Sequence, residues 1–568
     1  MDELDPTPAI GTSASSSSLR KRLAEAALIG LLALTLNLAG NSRVSLWDRD
    51  EPRYAGCTRE MRVSGDWIHP TFNALPRYDK PVLIYWLMLA GTALGGDNPF
   101  GARLVSSIAG AATCLVVWAL GRRMLGARTG RLAALMLATA PIMVVESKLS
   151  TTDATLTLWL VSAQACLWIL SERPSRLAAA GFWILMALAT LTKGPIGPAL
   201  IAVSGLVSWW WGGPTACWRR LEWKRGLIGF ALLTAPWCIA VGLASHGEFF
   251  RVALGYHVIR RMSNGIEQHG AFPGYYVVTS LVTFHPWSAL LPAALLTAWV
   301  GRRRHPAFGF LLGWTVGPLI LLELVRTKLV HYYLPAYPAC ALLAAWLIGA
   351  VAHKEVNLRR WPLGRLSVGI LGGVGIGGTA ALAAGVVMLP GATRWPFLVL
   401  AVLMGAGTLG AIERFHKGAT ERAALTLVAA WAMILAVTGA WLLPAAEPYR
   451  YSRVVAERLA VLSDRYHAAP MLATFQEPSM IYTLGRPVAI MRGRDDLLNR
   501  LRREGAIVSA LLPQEVRTLR NEPDFSVDVL EPIRGFNLSK GRSETLQFGL
   551  IRLKGSRVAG LTQQSVVK

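Results

Sequence analysis

Residues 20–39 read RKRLAEAALIGLLALTLNLA, in which three basic residues precede a run of seventeen residues with a single charge. A run of this length is sufficient to cross a bilayer as a helix, and basic residues at its start are typical of the cytoplasmic end. The preceding residues are polar and rich in Ser, so we predict a disordered cytoplasmic N-terminus over 1–22. The first run is therefore interpreted as a retained membrane helix rather than a cleaved signal.

The same pattern of apolar run and basic flank recurs along most of the chain. Of the 568 residues, 53% are hydrophobic and 16% are charged, whereas a soluble chain carries about 25% charged residues. Because every backbone polar group inside a bilayer must be paired, we predict that the runs are helices. The thirteen predicted spans cover residues 25–41, 101–120, 132–146, 154–170, 178–191, 196–211, 226–244, 276–299, 307–323, 334–352, 366–388, 396–412 and 423–443.

The basic residues also predict the topology. The positive-inside rule places alternate loops in the cytoplasm, and this accounts for the net charge of +24 without a nucleic-acid partner. With an odd number of spans, both the first loop (42–100) and the C-terminal residues 445–568 are predicted on the periplasmic side. The predicted cytoplasmic loops, all rich in Arg and Lys, are 122–131, 173–176, 219–225, 302–304, 354–365 and 414–422.

The C-terminal residues 445–568 differ from the rest in character. Apolar stretches at 470–475, 487–491 and 506–512 predict strands, and the polar stretches between them predict helices. The predicted fold is a polytopic α-helical membrane domain (23–444, about 13 spans) followed by a periplasmic α/β domain. The six cysteines show no CxxC spacing, which argues against a disulfide framework or a zinc site.

The first loop opens with the most informative motif, Trp47-Asp48-Arg49-Asp50-Glu51-Pro52-Arg53-Tyr54-Ala55. An interfacial anchor explains the Trp and one Arg, but it does not explain three carboxylates within four residues. We therefore predict a catalytic role for Asp50 and Glu51, with Asp50 as the first candidate. Asp153, between two apolar runs, is the third catalytic candidate, because a charge at that depth is costly unless it is paired or lines an aqueous cavity. The alternative for Asp153 is a structural salt bridge to Lys148.

Several cations and aromatic residues lie at the same predicted membrane level. Such cations can bind a lipid-borne phosphate, and the alternative is headgroup snorkelling. The candidate ligands of a donor phosphate are Lys80, Arg53, Arg260, Tyr54, Lys328 and Tyr332.

Metal binding receives little support from the sequence. The candidates are His257, His269 and Asp79, but the spacing of the histidines matches no standard ligand motif. No cofactor is predicted to be required.

These motifs together resemble the membrane glycosyltransferases of the GT-C fold. The first-loop motif followed by Asp79-Lys80-Pro81 is similar to that of the protein O-mannosyltransferase superfamily. Within it, the chain resembles the bacterial family that transfers aminoarabinose from undecaprenyl phosphate to lipid A. Thr192-Lys193-Gly194-Pro195, His257-Val258-Ile259-Arg260 and the segment from Lys328 to Pro335 also match. One departure is Tyr256, which stands where the family often has an acid.

The resemblance implies a multi-pass inner-membrane enzyme, expected to be a monomer among membrane lipids, that confers polymyxin resistance. Asp50 and Asp153 would line the catalytic cavity, with Lys80, Arg53 and Arg260 binding the donor phosphate. The hypothesis for stereochemistry is a single displacement with inversion. A carboxylate should recognise the amine of the sugar, and the sequence does not choose among Glu51, Asp48, Asp79 and Glu477.

Two other functions remain as alternatives at this point. The first is a GT-C transferase for another sugar, such as galactosamine, galacturonic acid or mannose, acting on lipid or protein. The second is a flippase of lipid-linked sugars, which would favour inverted repeats and charges at mid-membrane. The sequence shows no internal repeat, and its informative charges cluster at one face.

Overall fold

A computed structural model describes residues 16–48, 50–253, 255, 271–358, 362–388, 391–537 and 541–555. Most of the chain up to residue 450 is helical. The helices outside the first loop are Ser16–Leu38, Pro99–Leu125, Ala127–Ala138, Pro141–Lys148, Asp153–Glu172, Arg176–Lys193, Ile196–Trp210, Ala216–Arg219, Trp223–Ala244, Glu248–Phe250, Tyr275–Thr283, Leu291–Gly301, Pro306–Leu324, Tyr337–Ala352, Pro362–Met388, Arg394–His416, Thr420–Val437 and Leu443–Ala446.

The length and hydropathy of these helices are those of a multi-pass membrane protein. Within the described ranges, nine helices are long and apolar enough to cross a bilayer, or ten if a bent pair counts as one span. Three shorter apolar helices add to them, Leu83–Gly95, Ile196–Trp210 and Trp287–Gly301. Each of the thirteen predicted runs contains a helix or a broken pair of helices, and the exact number of spans stays a prediction.

Two of the predicted spans are interrupted at proline. The helices Ala127–Ala138 and Pro141–Ser147 meet at an angle of 62°, because Pro141 has no N–H to continue the hydrogen-bond ladder. The run predicted at 276–299 divides in the same way, with a helix that ends at Thr283 and a 3₁₀ turn that begins at Trp287, just after Pro286.

The first loop is itself well ordered. It contains the helix Asp50–Ser64, a short hairpin of the two-residue strands β1 (Thr71–Phe72) and β2 (Leu75–Pro76), and the apolar helix Leu83–Gly95. Helix Leu83–Gly95 packs closely on helix Pro99–Leu125. At Gly91 the two backbones are so close that an added Cβ would lie 2.7 Å from the carbonyl oxygen of Gly101. From the sequence alone, residues 83–95 are predicted only as part of the first loop.

The C-terminal residues form a five-stranded sheet with helices on both faces. The strand order is β4-β3-β5-β7-β6, with β4, β3 and β5 parallel and β7 antiparallel to both of its neighbours. Alternate residues of β5 point to opposite faces, so Val508 enters one apolar core and Ile507 the other. The elements are helices Tyr451–Tyr466, Pro478–Leu484, Arg494–Glu504 and Pro513–Asn521, and strands β3 (Ala469–Leu472), β4 (Ala489–Ile490), β5 (Ala506–Leu511), β6 (Phe525–Asn537) and β7 (Arg542–Leu553).

Hydrogen bonds join the first loop to this sheet domain. The Asp48 carboxylate accepts from Ser452 Oγ at 2.8 Å and from Ser479 N at 2.8 Å. Asn73 Nδ2 donates to the Val488 carbonyl at 2.9 Å, and its Oδ1 accepts from Val488 N at 2.7 Å. The first loop is thus held between the membrane helices and the C-terminal domain.

Candidate active site

The side chains of the candidate site are carried by five separate segments. Asp50 begins the first-loop helix, Asp153 begins one membrane helix, and Lys193 ends another. Glu146 lies near the end of helix Pro141–Lys148, and His331 lies in the 3₁₀ turn Val330–Ala336. All of these segments meet at the first-loop face of the membrane domain.

Asp50 is exposed at the start of its helix. Among the residues that the structure describes, its carboxylate has no hydrogen-bond or ion-pair partner. The half-buried Arg53, one helical turn later, also has none within the same ranges. Within the described part of the chain, these two opposite charges on one helix face are thus unpaired and available to bind a substrate.

Glu51 has the opposite environment, being only 1% exposed. Arg103 donates hydrogen bonds to both of its carboxylate oxygens, from Nε to Oε1 at 2.8 Å and from Nη2 to Oε2 at 2.7 Å. The backbone N–H groups of Trp47 and Ser150 donate to the same carboxylate at 2.8 and 2.7 Å. Burial raises the pKa of Glu51, but the Arg103 charge and these hydrogen bonds outweigh it and hold the pKa below its usual value. The catalytic assignment of Glu51 stays a prediction, and its contacts favour a positioning role.

Asp153 is buried, and its partner is Lys193, with Nζ at 2.6 Å from Oδ1. Lys148, the partner considered in the sequence analysis, is not that partner. The Lys148 ammonium instead donates to the carbonyl of Asn37 and to Oδ1 of Asn41, both at 3.3 Å. Asp153 is therefore paired toward the candidate site rather than toward the adjacent helix.

His331 faces Asp153 from the other side, with Nε2 at 4.0 Å from Oδ2. Asp50 and Lys80 also lie within electrostatic range of this imidazole. Lys80 is half-buried, and its Nζ donates to the Asp79 carbonyl at 3.2 Å. The two predicted catalytic aspartates and a predicted phosphate ligand thus share one region.

Tyr54 is buried beneath the same region. Burial raises the pKa of its hydroxyl above the usual value, and the Arg77 charge opposes that effect. Asp50 and Asp153 both add to the increase in pKa, so both lie within electrostatic range of the Tyr54 hydroxyl.

Lys328 and Tyr332 lie in different surroundings from each other. The Lys328 ammonium is buried against the Glu323 carboxylate and also donates to the Phe272 carbonyl at 3.3 Å. It therefore ties the segment before Tyr275 to helix Pro306–Leu324. The Tyr332 ring lies 5.0 Å from the Lys193 Nζ, next to the Asp153 pair.

Three predicted residues, Arg260, His257 and His269, lie outside the described residues. The remaining metal candidate, Asp79, forms an ion pair with Arg77 at 2.9 Å. Within the described ranges, no group of three His, Cys, Asp or Glu side chains has the arrangement to hold a metal.

The four carboxylates considered for the amine of the sugar divide into two pairs. Glu51 and Asp79 are each bound to an arginine. Asp48 and Glu477 both line a cavity of about 260 Å³ between the first loop and the C-terminal domain. The cavity has an aromatic wall as well, and its other lining residues are Trp47, Arg450, Tyr451, Ser452, Phe475, Phe536 and Asn537.

Arg103 and Glu146 have no role in the sequence analysis, although both belong to the site or its support. Each is a charged residue inside a predicted span, 101–120 or 132–146, and a charge in such a run is a signal of function. Lys193 and His331 appear there only as matches within family motifs. Their pairing with Asp153 depends on the packing of helices that are distant in sequence.

Known proteins provide an independent comparison. A family model described as dolichyl-phosphate-mannose-protein mannosyltransferase matches residues 79–239. The undecaprenyl phosphate-alpha-4-amino-4-deoxy-L-arabinose arabinosyl transferase of Pseudomonas aeruginosa (strain UCBPP-PA14) is 32% identical over 425 residues, which are 72% of this chain and 73% of that protein. The protein of the same description from Erwinia tasmaniensis is 32% identical over 357 residues, which are 61% of this chain and 62% of that protein.

Solved structures show the same fold. ArnT from Cupriavidus metallidurans bound to undecaprenyl phosphate aligns with a TM-score of 0.71 at 22% identity, over 94% of this chain and 98% of that chain. The archaeal oligosaccharyltransferase AglB from Archaeoglobus fulgidus aligns with a TM-score of 0.50 at 13% identity, over 87% and 70%.

The fold, with paired carboxylates and cations at one membrane face, defines a polytopic membrane glycosyltransferase of the GT-C type. The predicted fold class is confirmed at this level. The chain belongs to the family of undecaprenyl phosphate-α-4-amino-4-deoxy-L-arabinose arabinosyl transferases. The predicted family is also confirmed.

Proposed function

We propose that this protein transfers 4-amino-4-deoxy-L-arabinose from undecaprenyl phosphate to a phosphate of lipid A. The relatives carry this sugar and this lipid carrier in their names. The observation that carries the proposal is the exposed Asp50 carboxylate beside the Asp153–Lys193 pair, with Lys80 close by. This combination supplies an exposed acid and fixed cations at one membrane face.

The reaction breaks the bond between C1 of the sugar and the phosphate oxygen of the carrier, and an oxygen of the acceptor phosphate forms the new bond to C1. Negative charge develops on the departing undecaprenyl phosphate. Fixed cations stabilise such charge without reorganisation, and Lys80, Arg53 and Arg260 are proposed for this role. Lys328 and Tyr54 are buried and act as framework in this scheme, whereas Tyr332 remains a candidate ligand.

The acceptor determines the role of Asp50. A hydroxyl acceptor needs a general base, but a phosphate monoester is already largely dianionic near neutral pH, since its second pKa is about 6. Asp50 therefore orients the acceptor or stabilises the positive charge that builds on the sugar ring, as in oxocarbenium-like transition states. A single displacement inverts the anomeric configuration, and a product with the configuration of the donor would contradict this mechanism.

The cellular setting follows from the distribution of charge. The Arg- and Lys-rich loops place the opposite face in the cytoplasm, so the site is proposed to lie in the periplasm, at the inner membrane, in a monomer. A phosphate capped by an amino sugar carries less negative charge, which weakens the attraction of cationic peptides. Polymyxin resistance is the expected phenotype.

The test uses a polymyxin-sensitive strain that makes the donor but lacks its own transferase. Wild type, Asp50→Ala and Asp97→Ala are expressed, and lipid A is analysed by mass spectrometry. Asp97 is the matched control, because it lies in the same loop and pairs with Arg59 and Arg62 near the surface. A pentosamine is expected from wild type and Asp97→Ala but not from Asp50→Ala.

Two further results bear on the same proposal. Unmodified lipid A from well-inserted wild type would contradict the proposed substrate pair and favour another sugar or a protein acceptor. The chemistry proposed here draws its positive charge from side chains, so membranes washed with a chelator should retain the activity. Loss of activity that Zn²⁺ or Mn²⁺ restores would instead assign a metal to the region of Asp79, His257 and His269.

A further inference from the structure

The imidazole of His331 lies between two buried carboxylates. Its Nδ1 is 3.6 Å from Glu146 Oε1, and its Nε2 is 4.0 Å from Asp153 Oδ2. Glu146 is 4% exposed and Asp153 is 7% exposed. The ring thus connects a carboxylate of the candidate active site to one that the proposed reaction does not use.

Glu146 needs polar partners at this buried position. A carboxylate between apolar runs is strongly destabilising unless it is paired. Thr151 Oγ1 donates to its Oε2 at 3.3 Å. Among the described residues, His331 is the one basic side chain within 4.0 Å of the Glu146 carboxyl group.

Lys193 is not free to replace His331 in this role. Its ammonium is bound to Asp153 at 2.6 Å and lies over the Tyr332 ring. The charged groups that face the imidazole from the segments packed around it are Glu146, Asp153, Lys193, Asp50 and Lys80.

We propose that His331 is a positioning residue of the transferase site, oriented by Glu146 and in turn holding the Asp153 carboxylate against Lys193. The proposal rests on the proposed function, in which Asp153 lines the catalytic cavity. The two ring nitrogens have distinct partners, and the partner of one sets the direction of the other.

The experiment compares Glu146→Gln, His331→Gln, their double variant and Glu146→Asp in the purified full-length protein. The donor KM and kcat are measured with undecaprenyl phosphate-aminoarabinose and lipid A. Each single Gln variant is expected to lower kcat by about 10–100-fold, with the donor KM changed less than about twofold. Because the two side chains act as one unit, the kcat of the double variant should be no lower than that of the more impaired single variant.

Rescue by a conservative variant separates positioning from simple support of the fold. Glu146→Asp keeps a carboxyl group on the side of His331, so kcat should recover toward the wild-type value in Glu146→Asp but not in Glu146→Gln. Glu447→Gln is the control, since Glu447 is also buried but pairs with Arg453 at 2.9 Å. The control should melt earlier with an unchanged kcat.

Multiplicative losses in the double variant, or a kcat in Glu146→Asp as low as that in Glu146→Gln, would overturn the positioning role. The wild-type rate with this donor tests the proposed function separately. If wild type accepts a different polyprenyl-phosphate sugar, the same variant-to-wild-type ratios are measured with that sugar, because Asp153 would serve any such donor.

Discussion

Asp50 and Glu51 are adjacent acidic residues whose carboxylates lie in different environments. The Asp50 side chain is exposed, whereas Glu51 is enclosed with Arg103 and holds the chain around Trp47 and Ser150. Helix geometry produces this difference, because consecutive residues point about 100° apart around the axis. A substrate can reach the first carboxylate, and the protein itself uses the second.

Replacing Glu51 should therefore affect stability more than chemistry. Glu51→Gln leaves the buried Arg103 charge without its counterion, and breaking such a pair costs about 3–5 kcal/mol. A clear loss in melting temperature in detergent is expected for Glu51→Gln and little change for Asp50→Asn. The contrast between the two neighbours is measured by thermal unfolding beside the lipid A assay.

The pH dependence of this effect has a definite sign. The pKa of Glu51 is lower in the folded protein than its ordinary value, so its ion pair is fully present above the unfolded pKa of about 4.3. The stabilisation is lost as the pH falls through the lower, folded pKa. The gap in melting temperature between wild type and Glu51→Gln should be constant from about pH 5 upward and narrow in acid. A gap that persists unchanged in strong acid would contradict the assignment.

At the scale of single residues, the sequence predicts candidates but not their partners. The density of charge in the first-loop motif singles out Asp50 and Glu51 together, and only packing separates their roles. Asp153 is found from its position between apolar runs, but Lys193 lies 40 residues further along the chain. Long-range pairing of this kind leaves no local pattern in a single sequence.

Secondary-structure elements could be predicted where one pattern dominates. The apolar runs predict the membrane helices, and the short apolar stretch at 506–512 predicts β5. The hairpin of β6 and β7 is missed, because β6 is an edge strand with a register shift between Val529 and Glu531 and with Pro532 beyond it. Edge strands tolerate proline and bulges, and both obscure the alternation that identifies a strand.

The cavity where the first loop meets the C-terminal domain gives a prediction at this scale. Its acidic lining, Asp48 and Glu477, matches a protonated amine. Glu477→Gln removes one of these two charges and is expected to raise the donor KM about tenfold, since a hydrogen bond to a charged group contributes about 1.5–3 kcal/mol. The measurement compares donors with and without the 4-amine.

The control for this prediction is Asp495→Ala, in the same domain and with a 90% exposed side chain. The donor that lacks the amine should be used equally by wild type and Glu477→Gln. An equal increase in KM for both donors would mean that Glu477 does not bind the 4-amine of the sugar.

At the scale of the whole molecule, composition and the placement of charge predict a multi-pass membrane protein with a distinct C-terminal part. The structure also shows how these two parts are connected. The first loop forms hydrogen bonds both to the membrane helices and to the sheet domain. The hydrogen bonds to the sheet domain join residues about 400 positions apart in sequence. No local pattern in the sequence indicates which of these distant residues contact each other.

The orientation of the whole chain can be tested at two exposed positions. Asp495 lies in the C-terminal domain, and Lys417 lies in a basic loop with a 70% exposed side chain. Asp495→Cys should react with a membrane-impermeant maleimide in spheroplasts, whereas Lys417→Cys should react only after the membrane is opened. Wild type is the control, because its described cysteines are buried or half-buried. The reverse pattern would place Asp50 in the cytoplasm, where it could not meet an acceptor on the periplasmic surface, so this labelling decides whether the site and its proposed substrate share a compartment.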